Sequence, residues 1–104
     1  MLLAWGNKVS QEFRSKVLYI ALDLGIHPDW LMACMAFETG RTFDPAVKNA
    51  AGSGAVGLIQ FMPATARGLG TTTEALAEID AVEQLNYVAF YFLRWAKKLH
   101  SLED

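Results

Sequence analysis

Apolar residues recur along most of this chain at the three- and four-residue intervals of a helix with one buried face. Ser10 can cap a first helix running to Leu24, with Phe13, Val17, Ile20, Ala21 and Leu24 on one side and Gly25 as its stop. Pro28 suits the opening turn of a second helix, and Asp29 beside it meets the positive end of the helix dipole. That helix carries Trp30, Leu31, Cys34, Met35 and Glu38, and Gly40 closes it. Between Arg41 and Phe61 the periodicity fails: Gly52, Gly54 and Gly57 fall close together with Ser53 among them, which predicts irregular backbone or a short hairpin. Pro63 begins a short helix ending near Gly68 or Gly70, and Thr71 with Glu74 is spaced as a capping box for another. Asp80 and Glu83 repeat that spacing ahead of a long helix to about Leu99. The pattern predicts a mainly α domain with one Gly-rich irregular loop.

The long helix is apolar on every side from Tyr87 to Leu93, as a helix enclosed by neighbours would be. Few elements of this chain are left to enclose it. Either a second copy covers it in a homo-oligomer, or the domain is cut short.

At 104 residues the chain is expected to form one domain over its whole length, 1–104, and 53% hydrophobic with 19% charged residues is a globular composition. A net charge of -2 and a pI near 5.6 supply no basic field, which argues against nucleic acid as a partner. The opening MLLAWGNKVS reads as neither a secretory signal nor an anchor, and the longest apolar runs, Trp30 to Phe37 and Tyr87 to Leu93, are too short to span a bilayer. The single cysteine, Cys34, reads as a small buried hydrophobe. His27 and His100 show no ligand spacing and read as a helix-start and a surface residue, so no metal or other cofactor is expected.

Glu38 stands out among the polar residues. It follows Leu31 by seven positions and Met35 by three, which sets a carboxyl on a stripe that is otherwise apolar. Burial there and the negative end of the helix dipole would both favour the protonated form, the form able to give a proton to a leaving group. The competing reading is a helix-ending Glu turned to solvent or to Arg41. The segment Asn49-Ala-Ala-Gly-Ser-Gly-Ala-Val-Gly-Leu-Ile-Gln60 adds exposed amides and small residues that allow close approach of a polar ligand, or a tight structural turn. A phosphate loop is rejected because no Gly-Lys-Ser/Thr follows.

Three ordered motifs, Phe37-Glu-Thr-Gly40, Phe43-Asp-Pro-Ala46 and Gly54-Ala-Val-Gly-Leu-Ile-Gln-Phe-Met-Pro-Ala-Thr-Ala66, resemble the signature of soluble lytic transglycosylases. The resemblance covers roughly Leu31 to Phe92 and looks closest to forms carried by phages, among endolysins and tail-associated lysozymes. It implies a lysozyme-like helical domain related to goose-type lysozyme, acting on peptidoglycan glycan strands at the β-1,4 bond between N-acetylmuramic acid and N-acetylglucosamine. It places Glu38 on the catalytic acid/base and Gln60 and Met62 on glycan-contacting positions. Gly57 falls where the backbone passes close to the sugar, and Tyr91 on a tyrosine lining the cleft. Thr39 replaces the usual Ser after the acid, keeps its hydroxyl, and is expected to contact the substrate. The family's loop serine, expected to contact the substrate, falls on Ser53, with Asn49 competing for the place. Ile59 stands for Met, and Gln84 and Val88 stand where Asn and Gly are usual. Relatives continue with further helices that complete the core, so the resemblance implies that C-terminal helices are missing here.

Between Thr39 and Thr73 the only acidic residue is Asp44, whose place before Pro45 suits a turn. The expectation is therefore a single-acid transglycosylase giving 1,6-anhydromuramoyl products. The alternatives are a hydrolytic muramidase, or a non-catalytic glycan-binding or structural phage-tail remnant of the fold. With no signal sequence, the protein is expected to be made in the cytoplasm and to reach the periplasmic wall through phage or lysis machinery.

Overall fold

A computed structural model describes the backbone of residues 3–103 and the side chains of residues 3–95. The order of elements is a short 3-10 turn at Gly6–Lys8, then α1 (Gln11–Leu24), α2 (Pro28–Glu38), α3 (Pro63–Gly68), α4 (Thr73–Glu78) and α5 (Ala81–Glu103). The domain is mainly helical. Its extended pairing, among the described residues, is limited to isolated bridges of Val56 with Lys48 and with Phe61, a fragment of hairpin inside the Gly-rich loop.

The first two helices form where their caps and periodicity predict. The Ser10 hydroxyl accepts from the Phe13 N–H, and Gly25 takes the left-handed conformation at φ 71° that ends α1. His27 Nδ1 accepts from the Asp29 N–H at the start of α2, so His27 is a helix-start residue. The chain turns by 118° between the two helices. Asp29 Oδ1 also accepts from the Ala4 N–H at 2.9 Å, and Arg14 Nη1 donates to the carbonyls of Gly6 and Val9, which fastens the N-terminal segment to both helices.

Further on, one boundary differs from expectation. Thr72, not Thr71, caps α4, accepting from the Ala75 N–H at 3.0 Å. Thr71 is already committed: its N–H donates to Ala66 O and closes the turn after α3, with Gly70 at φ 82°. Asp80 Oδ1 accepts from the Glu83 N–H at the start of α5, as its spacing predicts. That helix runs to Glu103, beyond the expected end near Leu99, and the surface position expected for His100 lies outside the described side chains.

The core lies where α1 packs on α2 and α5. Phe13, Val17, Leu31, Met32, Met35, Leu58, Phe61, Leu76, Leu85 and Val88 are essentially free of solvent, each large apolar side chain contributing about 1.5–3 kcal/mol by its burial. Enclosure of α5 is one-sided within this chain: Val88 is fully buried, Tyr87 and Tyr91 are half-buried, and Phe90 is 52% exposed. Among the described residues no single helix is long and apolar enough to cross a membrane.

Candidate active site

The stripe of α2 that carries Glu38 flanks the core instead of entering it. Leu31, Met32, Met35 and Ala36 are buried, and one turn further the buried position is Thr39, not Glu38. Glu38 shares its line with Trp30 and Cys34 at four-residue spacing, and all three open onto one cleft of about 410 Å³. The expected burial of the carboxyl is therefore corrected: Glu38 is solvent-exposed. A helix advances 100° per residue, so a seven-residue step from Leu31 falls about 20° short of two turns. That offset moves Glu38 to the edge of the apolar stripe.

The chain leaves α2 abruptly behind the acid. The Thr39 hydroxyl donates to Met35 O at 2.7 Å and accepts from the Phe43 N–H at 2.9 Å, both within the interior. Gly40, Arg41 and Phe43 take positive φ values of 61°, 69° and 54°, and Phe43 sets its ring edge against Phe13 with centroids 6.2 Å apart. Buried and doubly bonded, Thr39 shapes the turn and does not line the cleft, contrary to its expected place at the ligand.

A second wall comes from the Gly-rich loop. Val56 and Phe61 exchange backbone hydrogen bonds of 3.1 and 2.8 Å, and between them Gln60 N–H donates to Gly57 O. Gln60 sits at φ 54°, a left-handed conformation that costs a non-glycine residue of order 1 kcal/mol or more. Its side-chain nitrogen donates to Val47 O at 3.1 Å and Gly57 O at 3.0 Å. Two carbonyls can be satisfied only by the NH₂ end of the amide, so Oε1 is the end left for a ligand. Met62 continues this wall.

The third wall is α5, where Tyr91, Phe92 and Trp95 meet the cleft. Phe92 packs edge-on against both Trp30 (5.6 Å) and Tyr91 (5.2 Å), joining α2 to α5 by an aromatic seam. A shallower hollow of about 290 Å³ extends the cleft past Thr65, Tyr91 and Trp95 to Arg94. Aromatic side chains make up much of this lining and cationic ones are few, which does not favour a compact anion. A larger groove of about 650 Å³, between the loop and α4, shares no lining residue with this one and presents Lys48, Arg67, Glu74 and Glu78. Its charges are mixed in sign and exposed, and the convergence of carboxyl, amide and aromatic groups lies in the smaller cleft.

Glu38, Gln60, Met62 and Tyr91 thus meet in one place. Ser53 and Gly57 do not join them. Ser53 is exposed, its hydroxyl accepting from the Ala55 N–H, and Asn49 lines the other groove. Gly57 is buried against Gln84: a Cβ there would lie 2.5 Å from Gln84 Oε1. The absence of a side chain at Gly57 makes room for that glutamine. Asp44 is exposed and its Oδ1 accepts from the Ala46 N–H, the turn role its sequence suggests. Among the described residues, Glu38 is the only carboxylate lining the cleft.

Sequence reasoning missed Trp30, Thr65, Phe92 and Trp95. Two four-residue spacings carried the signal: Trp30–Cys34–Glu38 on α2 and Tyr91–Trp95 on α5. Cys34 is half-buried in the cleft wall and not in the core. Burial, and then the negative charge of Glu38, push its thiol above the ordinary cysteine value. No group of three potential metal ligands occurs among the described residues.

The family model described as Transglycosylase SLT domain matches residues 17–99, a span that contains all three walls of the cleft. No curated protein and no solved structure matches the chain.

Proposed function

We propose that this chain, which belongs to the transglycosylase SLT domain family, cleaves the β-1,4 bond between N-acetylmuramic acid and N-acetylglucosamine in peptidoglycan with Glu38 as its only acid/base. The observation that carries this reading is the solitary carboxylate: Glu38 faces Gln60, Tyr91 and an aromatic seam, with no second carboxyl among the described cleft residues. Glycosidases that activate water or form a glycosyl-enzyme generally need a second carboxylate. A one-carboxylate cleft favours chemistry in which the substrate supplies the remaining groups.

Protonated Glu38 gives its proton to the glycosidic oxygen, and the bond from that oxygen to C1 of muramic acid breaks. The acetamido oxygen of the same sugar stabilises the cationic C1. The Glu38 carboxylate then takes the proton of the C6 hydroxyl, whose oxygen closes on C1. The product is a 1,6-anhydromuramoyl end, and Glu38 is again protonated with no water consumed. Gln60, through its free Oε1, and Met62 and Tyr91, on the flanking walls, hold the glycan in register with the acid.

Digestion of purified peptidoglycan, with the released muropeptides separated by chromatography and mass, tests this reading. The expected products carry 1,6-anhydro ends. Reducing ends alone would make the protein a muramidase, and co-sedimentation with the wall without release would make it a glycan-binding remnant.

A further inference from the structure

We propose that Gln84 is the positioning residue for Gln60, fixing the glycan-facing amide from the far side of the loop. Gln84 lies in the first turns of α5, is fully buried, and lines none of the grooves described above. Every hydrogen-bonding position of its planar amide but one lone pair is occupied. Oε1 accepts from the Leu58 N–H at 2.8 Å, and Nε2 donates to Pro45 O at 2.9 Å and Leu76 O at 2.8 Å. One side chain thereby joins α4, α5 and both ends of the loop.

The two ends it grips are the two that hold Gln60. The Gln60 Nε2 hydrogen bonds go to Val47 O and Gly57 O; Val47 follows Pro45 by two residues, and Gly57 precedes Leu58 by one. Val47 and Gly57 are themselves linked, by Gly57 N–H donating to Val47 O at 2.9 Å. With Gln84 in place, both acceptors of the Gln60 amide are held at fixed separation, and the strained φ of 54° is tolerated. Gly57 is the necessary complement, since a Cβ would lie 3.0 Å from both Cδ and Nε2 of Gln84 as well as 2.5 Å from Oε1.

Substitution chemistry follows from that arrangement. Methionine fills a similar volume but leaves the Leu58 N–H and two carbonyls without partners. Glutamate keeps the acceptor but lacks both donors. Alanine at Gly57 strikes the same contact from the opposite side.

The effect on turnover rests on the glycan-cleaving reading, but the orientation of Gln60 does not. The test is side-chain amide exchange of Gln60 by nitrogen-15 NMR, in the full chain and in Gln84→Met, Gly57→Ala and, as a control for lost core packing, Val17→Ala. The signal is assigned by its loss in Gln60→Ala. Protection of the Gln60 amide is expected in the parent and in Val17→Ala, and a fall of about tenfold or more toward a free glutamine in the other two. Protection surviving in folded Gln84→Met and Gly57→Ala overturns the proposal. Gln84→Asn, which keeps the amide one methylene shorter, replaces either variant that does not fold.

Kinetics supply a second arm. Gln84→Met should lower kcat/KM by about tenfold to a hundredfold, and the Gln84→Met/Gln60→Ala double variant should be no slower than the slower single variant. Multiplying effects would show that Gln84 acts elsewhere and overturn the proposal. A Gln60→Ala protein with full turnover would instead sink the assignment of Gln60 to the glycan, leaving the amide-exchange result to decide the role of Gln84.

Discussion

Helix α2 and the loop from Pro45 to Phe61 each build one wall of the same cleft, and they are held by opposite means. The helix is specified locally: a histidine cap, Pro28 in the first turn and an apolar stripe that buries Leu31, Met32, Met35 and Ala36. Glu38 comes with it, because any helix docked by that stripe presents Trp30, Cys34 and Glu38 to one side. The loop has almost no regular pairing of its own. Its shape comes from a few backbone hydrogen bonds, from Leu58 and Phe61 anchored in the core, and from the Gln84 amide, which reaches in from α5. One wall is a consequence of periodicity, the other of a few backbone hydrogen bonds and one side chain from a distant helix. Glu38 and Gln60 should therefore fail differently.

The largest effect expected is on chemistry alone. Glu38→Gln should slow muropeptide release by about a thousandfold, while the thermal midpoint stays close to the parent because the side chain is exposed. Retained release would remove Glu38 from the mechanism. Met35→Ala attacks the docking stripe, and denaturant unfolding should show a loss of about 2–5 kcal/mol. A loss below that range would mean that α2 is not fixed by its buried face. Thr39→Val tests the junction between the two walls: it preserves shape but leaves the buried Phe43 N–H unpaired. The expected loss is about 1–3 kcal/mol, and a neutral result would detach the turn from that hydroxyl.

Cys34 reports on the cleft more gently. Its thiol is raised first by burial and then by Glu38, so the thiolate fraction near pH 8 is smaller than that of a free cysteine. Alkylation by iodoacetamide should be correspondingly slower. Glu38→Gln removes the negative charge, lowers the thiol's proton affinity and should speed the reaction. An unchanged rate would separate the two side chains. The smallest effect belongs to Ser53→Ala, on the exposed crest of the loop. Stability within about 0.5 kcal/mol of the parent and unaltered muropeptide release are expected, whereas a large loss of release would return Ser53 to the glycan.

The same contrast explains what could be read before the fold was seen. Caps and three-four spacing are local quantities, so Ser10, Gly25, Pro28, the buried face of α1 and the buried pair Leu31 and Met35 of α2 are legible in order along the chain. Which edge of α2 faces the cleft is a matter of about 20° of helical phase. A stripe counted in whole turns put Glu38 inside, and the structure puts it at the rim. The loop is harder, because its organiser sits 26 residues beyond the Leu58 N–H that it accepts from. No local pattern ties a glycine to a distant glutamine, so Gly57 reads as room for a ligand when it is room for Gln84. Thr39 and Ser53 are misplaced for a related reason: the resemblance sets them on hydroxyl positions of the family, yet here both serve backbone N–H groups. Tyr91 lines the cleft beside Glu38, a meeting that only the resemblance anticipated.

The claim that one carboxylate suffices is tested most directly by digesting peptidoglycan in water enriched in heavy oxygen and weighing the new muramic acid ends. Transglycosylation closes the ring with the substrate's own C6 oxygen, so the anhydro ends should carry no label at any stage of the digest. Heavy oxygen at C1 of the new ends, present from the earliest time points, would mean that water is the acceptor and would contradict the account.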